Sequence, residues 1–422
     1  MLKLIVVVVL LALPTLASAG FVKTNGTRFE LDGARYSYLG TNFWYGMNLG
    51  ASGSAGDRPR LLRELDRLKS MGVTNLRVVG GSEGPDTEPW RIVPSLQPSR
   101  GKTNASLLSG LDFLFSEMKK RNMHAVVCLN DFWPWSGGMA QYLRWAGASS
   151  IPYPPPAAGG SWTTFQAYTE KFYSNERAVK ASNTFVTMIV KRYANEPAIM
   201  AWELANEPRG GGNVAAFNRW IEKSAELIKS LDKNHLVTTG SEGETPVPVP
   251  NGLDFTLNHT YKNIDYATAH IWAQNWGWYD PANPDTTFDS SVAQMKTYLN
   301  DHAEKAKKLG KPLVIEEFGL ARDGGSFDPA SATSMRDKYY HEVFEEVYRA
   351  AHAEVPSVAG VNFWAWAGEG VPQKPFGGLW KAGVPFIGDP PHESQGWYSV
   401  YGTDQSTIKL ITEYAGKMSA LH

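Results

Sequence analysis

Two Asn-Glu-Pro tripeptides lie eleven residues apart, at residues 195–197 and 206–208, and an Ile-Glu-Glu-Phe-Gly segment follows at residues 315–319. Paired carboxyl groups can cleave a glycosidic bond: a protonated one gives its proton to the departing oxygen, and an ionised one attacks the anomeric carbon. The three segments therefore predict a catalytic pair with one Glu from each region. The elements around them must decide which Glu residues form it.

Composition limits the kind of partner. The 422 residues are 43% hydrophobic and 20% charged, with a net charge of -1, so the chain can bury a large core. Near-neutral charge gives no electrostatic reason to bind nucleic acid or an anionic membrane, and we expect a monomer that binds a neutral substrate. The 15 Trp residues can either stack on sugar rings or pack in the core, and the sequence leaves both open. The single cysteine, Cys128, excludes an intramolecular disulfide.

The N-terminal segment predicts export. A short basic start, an apolar run and small residues at positions 17–19 are typical of a secretory signal peptide, here residues 1–19. The apolar run is too short to span a membrane comfortably. We therefore expect a secreted, extracellular protein whose single catalytic domain covers residues 20–422.

Alternating apolar runs and amphipathic segments predict the fold. The predicted strands are residues 36–42, 75–79, 124–130, 199–204, 236–239, 266–271, 312–318 and 360–364. The predicted helices are residues 58–71, 106–121, 178–193, 215–231, 290–309, 334–351 and 405–420. Eight strands with intervening helices indicate an α/β fold, a single (β/α)8 TIM barrel, in which chemistry gathers at the carboxyl ends of the strands. Residues 132–174, rich in Trp, Pro and Gly, predict an elaborated loop after strand three on that face.

Position relative to the strands separates the candidate carboxylates. Glu196 ends a helix and precedes a strand, so we expect a turn residue at the opposite end of the barrel. Glu207 follows strand four and is the predicted acid. Neighbouring strand residues point to opposite faces, so only one of Glu316 and Glu317 should face the centre. We predict that Glu317, next to the strand end, is the nucleophile and that Glu316 faces the helix layer.

These motifs carry a family resemblance. Arg77, Asn206-Glu207-Pro208, His270, Glu317-Phe-Gly and Trp364 occur in the order found in glycoside hydrolase family 5. Within that family the chain resembles the endo-beta-1,4-mannanases through Gly40-Thr-Asn-Phe-Trp44, Leu129-Asn130 and Arg209. The resemblance implies a retaining enzyme that hydrolyses internal bonds of beta-mannan polysaccharides, with Glu207 as acid/base, Glu317 as nucleophile, and no metal or cofactor.

The resemblance also implies roles for the supporting residues. Arg77 would keep Glu317 ionised, while an apolar aromatic setting would keep Glu207 protonated. Asn206 would hold the sugar 2-hydroxyl and His270 would orient Glu207 or the substrate, although either residue could instead be structural. Further substrate contacts are implied for Trp44, Asn130, Arg209 on the leaving-group side and Trp364 as the floor of the cleaved sugar's subsite.

One position departs from the family pattern. Family members commonly carry His-x-Tyr where this chain has His270-Ile-Trp272. The indole of Trp272 can donate one hydrogen bond but cannot accept one, so it either replaces the Tyr contact to the nucleophile or only stacks. The outer residues Trp44, Trp133, Trp135 and Trp162 could be sugar platforms or packed loop residues.

Two other functions remain open at this stage. A related beta-glucanase or exo-acting enzyme would use the same residues, and an exo-enzyme would have a cleft closed at one end by long loops. A catalytically inactive glycan-binding barrel would keep the fold without turnover.

Overall fold

The computed structural model describes residues 20–246 and 251–421. The predicted signal peptide, residues 1–19, lies outside these ranges. Within the described ranges, none of the helices combines the length and the apolar character needed to cross a membrane.

Eight parallel strands form the barrel. They are β1 (Tyr38–Asn42), β2 (Asn75–Val79), β3 (His124–Cys128), β4 (Ile199–Glu203), β5 (Leu236–Thr238), β6 (Ala267–Ile271), β7 (Leu313–Phe318) and β8 (Gly360–Phe363). In the sheet, the order of hydrogen-bonded neighbours is β5, β4, β3, β2, β1, β8, β7, β6. The two outer strands meet where the Asp265 amide, just before β6, donates a hydrogen bond to the Val237 carbonyl of β5 at 2.8 Å. The predicted fold class, a (β/α)8 TIM barrel, is confirmed.

Helices surround the strands. They are α1 (Gly46–Gly50), α2 (Arg58–Ser70), α3 (Ala105–Lys120), α4 (Gly138–Trp145), α5 (Trp162–Thr169), α6 (Glu176–Tyr193), α7 (Val214–Leu231), α8 (Phe255–His259), α9 (Pro284–Leu309), α10 (Ser334–His352) and α11 (Gln405–Ser419). Several begin at side chains that accept hydrogen bonds from the first turn, as Asp57, Asn104 and Asn175 do for α2, α3 and α6. Their apolar faces pack on the strands, which are buried along their whole length.

A small antiparallel sheet covers the amino-terminal end of the barrel. Its strands are Lys23–Asn25, Arg28–Leu31 and Ala34–Tyr36. Phe29 packs against Tyr38 and Tyr266, with ring centroids 6.4 and 5.2 Å apart. The predicted first strand was therefore two residues too long at its start, because Tyr36 belongs to this sheet.

Two long loops extend the opposite end of the barrel. The loop after β3 contains α4 and α5, so the predicted elaboration at residues 132–174 is folded and partly helical. A second loop, residues 364–404 after β8, includes the short paired strands Trp366–Gly368 and Val400–Tyr401. The sequence analysis did not predict this second elaboration. Together the loops enclose the carboxyl end of the barrel.

Candidate active site

A cavity of about 610 Å³ opens at the carboxyl ends of the strands. Glu207 and Glu317 lie in its wall, together with Asn206, Arg209 and Trp364. The β3 loop contributes Trp133, Trp135 and Trp162, and the β8 loop contributes Pro390, His392, Glu393, Ser394, Trp397 and Tyr398. The cavity therefore combines two buried carboxylates with flat aromatic faces.

Glu207 follows β4 and has a left-handed backbone conformation, with φ of 46°. Such a conformation costs about 1–3 kcal/mol in a residue other than glycine, so surrounding contacts must hold it. The indole nitrogen of Trp133 donates to Glu207 Oε2 at 2.6 Å, and His270 Nδ1 lies 2.6 Å from Oε1. Both carboxylate oxygens are thus held in place on the cavity wall.

A bulge in β7 decides where the two adjacent Glu residues point. Ile315 pairs with Ala269 and Glu317 with the next residue, His270, so Glu316 has no partner in the ladder. Val314 belongs to the cluster inside the barrel, and Glu316 follows it to the inside by ordinary alternation. The bulge then returns Glu317 to the same side. The prediction that Glu316 faces the helix layer is therefore wrong, because alternation fails at the bulge.

Arg77 on β2 links the strands below the cavity. Its guanidinium donates to both oxygens of Glu203, at 2.7 and 2.6 Å, and to the side-chain oxygens of Asn42 and Asn206, at 3.0 and 2.8 Å. It also donates to Glu317 Oε1. Arg77 thus lies beside Glu317 as predicted and fixes its position as well as its electrostatic surroundings.

His270, at the end of β6, lies between the two candidate carboxylates. Nδ1 is 2.6 Å from Glu207 Oε1 and 3.3 Å from Glu317 Oε2. The neighbouring carboxylates raise the pKa of His270 to about 10, although burial opposes this shift. At neutral pH the imidazole is therefore positively charged, and Nδ1 donates toward the carboxylates.

Burial and the charge of His270 set the pKa values of the two carboxyl groups. Burial alone would raise the pKa of Glu207, but the hydrogen bond and charge of His270 lower it to about 2. Burial raises the pKa of Glu317 to about 7, against the charges of His270 and Arg77. The expectation that Arg77 keeps the pKa of Glu317 low is therefore not met, because burial outweighs the charge of the guanidinium. Glu207 is therefore ionised in the free site, because the proton that it shares with His270 stays on the imidazole. This outcome is contrary to the expectation that an aromatic setting keeps Glu207 protonated.

The cluster has the geometry of a proton-transfer site. A carboxylate oxygen of Glu207, one of Glu317 and a ring nitrogen of His270 all lie within 4.8 Å of one another. The nitrogen that faces both carboxylates is already used in a 2.6 Å hydrogen bond, and Arg77 supplies the compensating charge. We therefore do not assign these residues as metal ligands. The expectation that the enzyme needs no metal or cofactor stays a prediction.

Comparison with known proteins identifies the family. A model of the glycoside hydrolase family 5 beta-mannosidase-like proteins matches residues 19–422. The chain belongs to glycoside hydrolase family 5. It is a glycoside hydrolase, so the predicted family and enzyme class are confirmed.

Solved and curated family 5 proteins resemble the chain over most of its length. A family 5 mannosidase from Rhizomucor miehei is 37% identical, with a TM-score of 0.84 over 94% of this chain and 97% of that one. A variant of that protein, also 37% identical with a TM-score of 0.84 and the same coverage, was solved with mannosyl-fructose. Mannan endo-1,4-beta-mannosidase A of Podospora anserina is 31% identical over 72% of this chain and 75% of its own. Mannan endo-1,4-beta-mannosidase 5 of Solanum lycopersicum is 29% identical over 95% and 90%.

Most residues that suggested family 5 do meet at the cavity. Trp364 follows β8 and lines it, and Asn206 lines it while donating to Asp131 Oδ1 at 3.2 Å. Arg209 lies on the Glu207 side, paired with Glu242 and stacked over Trp133 with its guanidinium carbon 4.9 Å from the ring centre. Glu196, in contrast, accepts a hydrogen bond from the Ala198 amide in the turn before β4, as predicted.

Two predicted substrate contacts, Trp44 and Asn130, lie outside the lining of the main cavity. Trp44 is 2% exposed and donates to the Gly388 carbonyl at 2.8 Å, so it supports the β8 loop from beneath. Asn130 is 4% exposed, donates to Ser182 on α6 and lies outside the lining of the main cavity. Both side chains are used in packing the loops, and their contacts with substrate stay predictions.

Trp272 lines the cavity and packs edge-on against Trp364 and at a tilt against Tyr398. Its ring centre lies 6.0 Å from that of Trp364 and 5.0 Å from that of Tyr398. Among the hydrogen bonds of the described residues, Glu317 receives one from Arg77 and none from the Trp272 indole. Trp272 therefore does not replace the Tyr contact that family 5 members commonly make.

Three residues that shape the site were not predicted from the sequence. They are Glu242 after β5, and His392 and Glu393 in the β8 loop. The Pro- and Gly-rich composition of residues 370–396 was the available signal for a second elaborated loop. No local pattern marked Glu242, because it is brought to the site only by barrel closure.

Proposed function

We propose that the protein is a retaining hydrolase of beta-1,4-mannosidic bonds in mannan, glucomannan or galactomannan, with Glu207 as acid/base and Glu317 as nucleophile. The observation that carries this proposal is that both carboxylates contact one ring nitrogen of His270 and lie within 4.8 Å of each other. Retaining enzymes need carboxyl groups about 5–5.5 Å apart, which leaves no room for a water molecule between the sugar and the nucleophile.

In the first step, Glu317 attacks the anomeric carbon. The bond from its oxygen to that carbon forms as the glycosidic bond breaks. The proton shared by His270 Nδ1 and Glu207 Oε1 passes through Glu207 to the departing oxygen. His270 becomes neutral, Glu207 stays ionised, and the charge of Glu317 is lost in the glycosyl ester.

In the second step, water attacks the same carbon. Glu207, ionised and free of the leaving group, takes a proton from the water and returns it to His270. The ester bond to Glu317 breaks and restores its carboxylate. Two inversions give net retention of configuration.

Substrate class rests on the family and on Arg209. The curated relatives are named mannan endo-1,4-beta-mannosidases, and a related mannosidase was solved with mannosyl-fructose. Arg209 lies in the cavity wall next to Glu207, where it can contact a sugar on the leaving-group side. Flat faces of Trp364 and Trp272 offer stacking surfaces for pyranose rings.

Three measurements test the mechanism. Glu207→Ala and Glu317→Ala should each lower kcat by several orders of magnitude while the melting temperature stays close to that of the wild type. Proton NMR during hydrolysis should show the beta-anomer as the first product. Folded variants that keep full activity would overturn the assignment and would be compatible with a site elsewhere.

Substrate choice is tested by parallel hydrolysis of mannan, glucomannan and cellulose. Cleavage of mannan and glucomannan with little action on cellulose supports the proposal. Cleavage of cellulose alone would identify a beta-glucanase, and binding without cleavage of any of them would identify a glycan-binding barrel.

Cleavage at internal bonds is the first candidate mode. The names of the curated relatives support it. An internal cut requires a cleft open at both ends, and it predicts a rapid fall in the viscosity of a mannan solution with few reducing ends released.

Cleavage at a chain end is the second candidate mode, and contact between the two long loops favours it. Trp162 of the β3 loop packs edge-on against His392 of the β8 loop, with ring centres 6.1 Å apart. Glu393, next to His392, lines the cavity with a buried Oε2 that accepts no hydrogen bond from the described residues. Such an oxygen can accept a hydrogen bond from a sugar hydroxyl, and the loop contact forms a wall where a chain would have to end.

Mannohexaose labelled at its reducing end separates the two modes. Stepwise loss of single mannose units, with the label kept in the shortened chain, indicates release from the non-reducing end. Internal cuts give labelled fragments of several lengths at once. A Trp162→Ala, His392→Ala double variant should increase internal cutting if these loops form the wall.

Export and oligomeric state are also part of the proposal. We propose that residues 1–19 are removed during secretion and that the extracellular enzyme is a monomer. The family match, which begins at residue 19, supports the position of the cut. N-terminal sequencing of the exported protein should give Gly20 or Phe21, and light scattering should give the mass of one chain.

A further inference from the structure

Glu316 lies behind His270, on the side opposite the catalytic carboxylates. Its Oε2 is 3.9 Å from His270 Nε2, while His270 Nδ1 faces Glu207 at 2.6 Å. Glu316 also lies near Arg77, with 4.0 Å between its Oε2 and Arg77 Nε, and near the hydroxyl of Tyr266, at 3.5 Å from its Oε1. A buried carboxylate thus faces the second nitrogen of the histidine that holds the catalytic proton.

These two facing atoms have no other hydrogen-bond partner. Glu316 Oε2 and His270 Nε2 are both buried, and neither forms a hydrogen bond with any other residue in the described ranges. Leaving a buried donor and a buried acceptor unpaired is costly, by about 1–3 kcal/mol for each group. The 3.9 Å gap between them closes with a small rotation of either side chain, and the pair then satisfies both groups.

The β7 bulge is what allows this arrangement. Without it, only one of the adjacent residues Glu316 and Glu317 could enter the barrel. With it, Glu317 reaches the front of His270 and Glu316 the back. The bulge therefore places carboxylates against both ring nitrogens of one imidazole.

We propose that Glu316 is a positioning residue that fixes the orientation and the positive charge of His270, so that Nδ1 presents its proton to Glu207. This inference rests on the proposed roles of Glu207 and Glu317. A hydrogen bond to Nε2 keeps the ring plane directed at Glu207, and the negative charge of Glu316 stabilises the imidazolium.

Other charged and titratable groups also face this pair and must be included in its pH dependence. They are Arg77 on β2, Glu203 and Glu207 at and after the end of β4, Glu242 after β5 and Glu317 on β7. Tyr266 before β6 also faces Glu316, but burial raises the pKa of its hydroxyl well above its ordinary value, so it stays uncharged and does not contribute to the pH profile. Arg77 lies closest to Glu203 and Glu317, which leaves Glu316 facing His270 from behind. The hydrogen bonds and charges of Glu207, Glu316 and Glu317 together raise the pKa of His270, so removal of one of them lowers it.

The test is Glu316→Gln, which keeps a hydrogen-bond acceptor and removes the charge. Loss of activity at high pH reflects loss of the proton shared by His270 and Glu207. With the Glu316 charge removed, we expect the alkaline limb of kcat/KM to move down by about one pH unit or more. Glu316→Met, which also removes the acceptor, should additionally lower kcat by about tenfold at the pH optimum.

Tyr266→Phe is the matched control. It removes the hydroxyl near Glu316 Oε1 and leaves the charge and the facing atoms Oε2 and Nε2 in place. We expect its pH profile to follow the wild type. A merely structural Glu316 would lower the melting temperature and leave the alkaline limb where it is, and that result in a folded Glu316→Gln protein would overturn the proposal.

Nitrogen-15 NMR of the histidine ring gives a readout independent of turnover. The His270 signals, assigned from a His270→Asn variant, should titrate at lower pH in Glu316→Gln than in the wild type. Unchanged titration would contradict the inference even in an inactive protein. Failure of the wild type to hydrolyse any beta-mannoside would instead contradict the proposed function and leave the His270 titration as a separate result.

Discussion

At the scale of single residues, Arg77 joins several carboxylates at the centre of the barrel. It is buried and bonds Glu203 and Glu317 directly. Breaking a buried pair by removing one partner costs about 3–5 kcal/mol, because the remaining charge stays buried without compensation. Arg77 is therefore as important for the stability of the barrel centre as for the electrostatic surroundings of Glu317.

We predict that Arg77→Ala lowers the free energy of unfolding by about 3–5 kcal/mol and abolishes activity. Urea denaturation measures the first effect. Arg192→Ala is the control, because Arg192 pairs with Asp112 at the surface, where both side chains are more than 40% exposed. In that variant the free energy of unfolding should fall by no more than about 1 kcal/mol. Equal losses in the two variants would contradict the assignment of Arg77.

Trp133 contributes a specific donor to Glu207. We predict that Trp133→Phe, which keeps a ring and removes the indole N-H, lowers kcat by about tenfold or more, because Glu207 Oε2 loses a 2.6 Å hydrogen bond. Steady-state kinetics measure the effect. Trp145→Phe in α4 is the control, since Trp145 packs on Tyr142 outside the cavity lining and should keep wild-type kcat. Comparable kcat in both variants would show that the donor is dispensable.

At the scale of elements, the β8 loop depends on one buried carboxylate. Asp389 accepts hydrogen bonds from the amides of Gly396 and Tyr398, at 2.8 and 2.7 Å, and from the Ser399 hydroxyl at 2.5 Å. These bonds close the segment that carries His392 and Glu393 over the cavity. The loop is therefore shaped from within its own sequence and then placed against α5.

We predict that Asp389→Ala raises KM for oligosaccharides more than it lowers kcat, because it loosens a substrate-facing loop and leaves Glu207 and Glu317 in place. The free energy of unfolding should fall by about 3 kcal/mol for the lost bonds. Kinetics on mannotriose and mannohexaose measure the first effect. Asp328→Ala is the control: it removes the hydrogen bond that the Ala330 amide donates to Asp328 Oδ1 in an exposed turn, and it should leave KM unchanged. A fall in kcat with constant KM would argue against this role of the loop.

At the scale of the whole molecule, buried neutral histidines make stability sensitive to acid. Burial lowers the pKa of His124, at the start of β3, to about 4. The unfolded chain takes up a proton below about pH 6.5, while the folded chain does so only below about 4. Stability is therefore fully present above pH 6.5 and falls as the pH drops toward 4.

We predict that protonation linked to His124 lowers the free energy of unfolding by about 3 kcal/mol between pH 6.5 and pH 4. Urea denaturation at both pH values should show a smaller acid-induced loss in His124→Gln than in the wild type. His352→Gln is the control, since His352 is exposed at the end of α10. An identical acid-induced loss in the wild type and His124→Gln would refute the prediction.

Local pattern was enough to predict the barrel and the two carboxylates, Glu207 and Glu317, that line its cavity. Strands and helices have periodicities of 2 and 3.6 residues, which a sequence displays directly. Glu207 and Glu196 share the same tripeptide, but only Glu207 follows a strand, and parallel strands of a barrel bring their carboxyl ends to one face. Chain order alone therefore placed Glu207 and Glu317 at the same site.

Only the tertiary structure decided how that site is closed and charged. Regular alternation along β7 predicts that Glu316 points away from the centre when Glu317 points toward it. The bulge, which is defined by the pairing of β7 with β6, lets both side chains point toward the centre. Trp44 and Asn130 hydrogen-bond to Gly388 and to Ser182 on α6, contacts with distant parts of the chain that no local pattern displays. The charge of His270 depends on three carboxylates that are distant from it in the chain.

The sequence by itself determined which chemical groups are present and on which strands they lie. Their orientation and protonation come from non-local contacts, because burial and Coulomb interactions depend on distances in space.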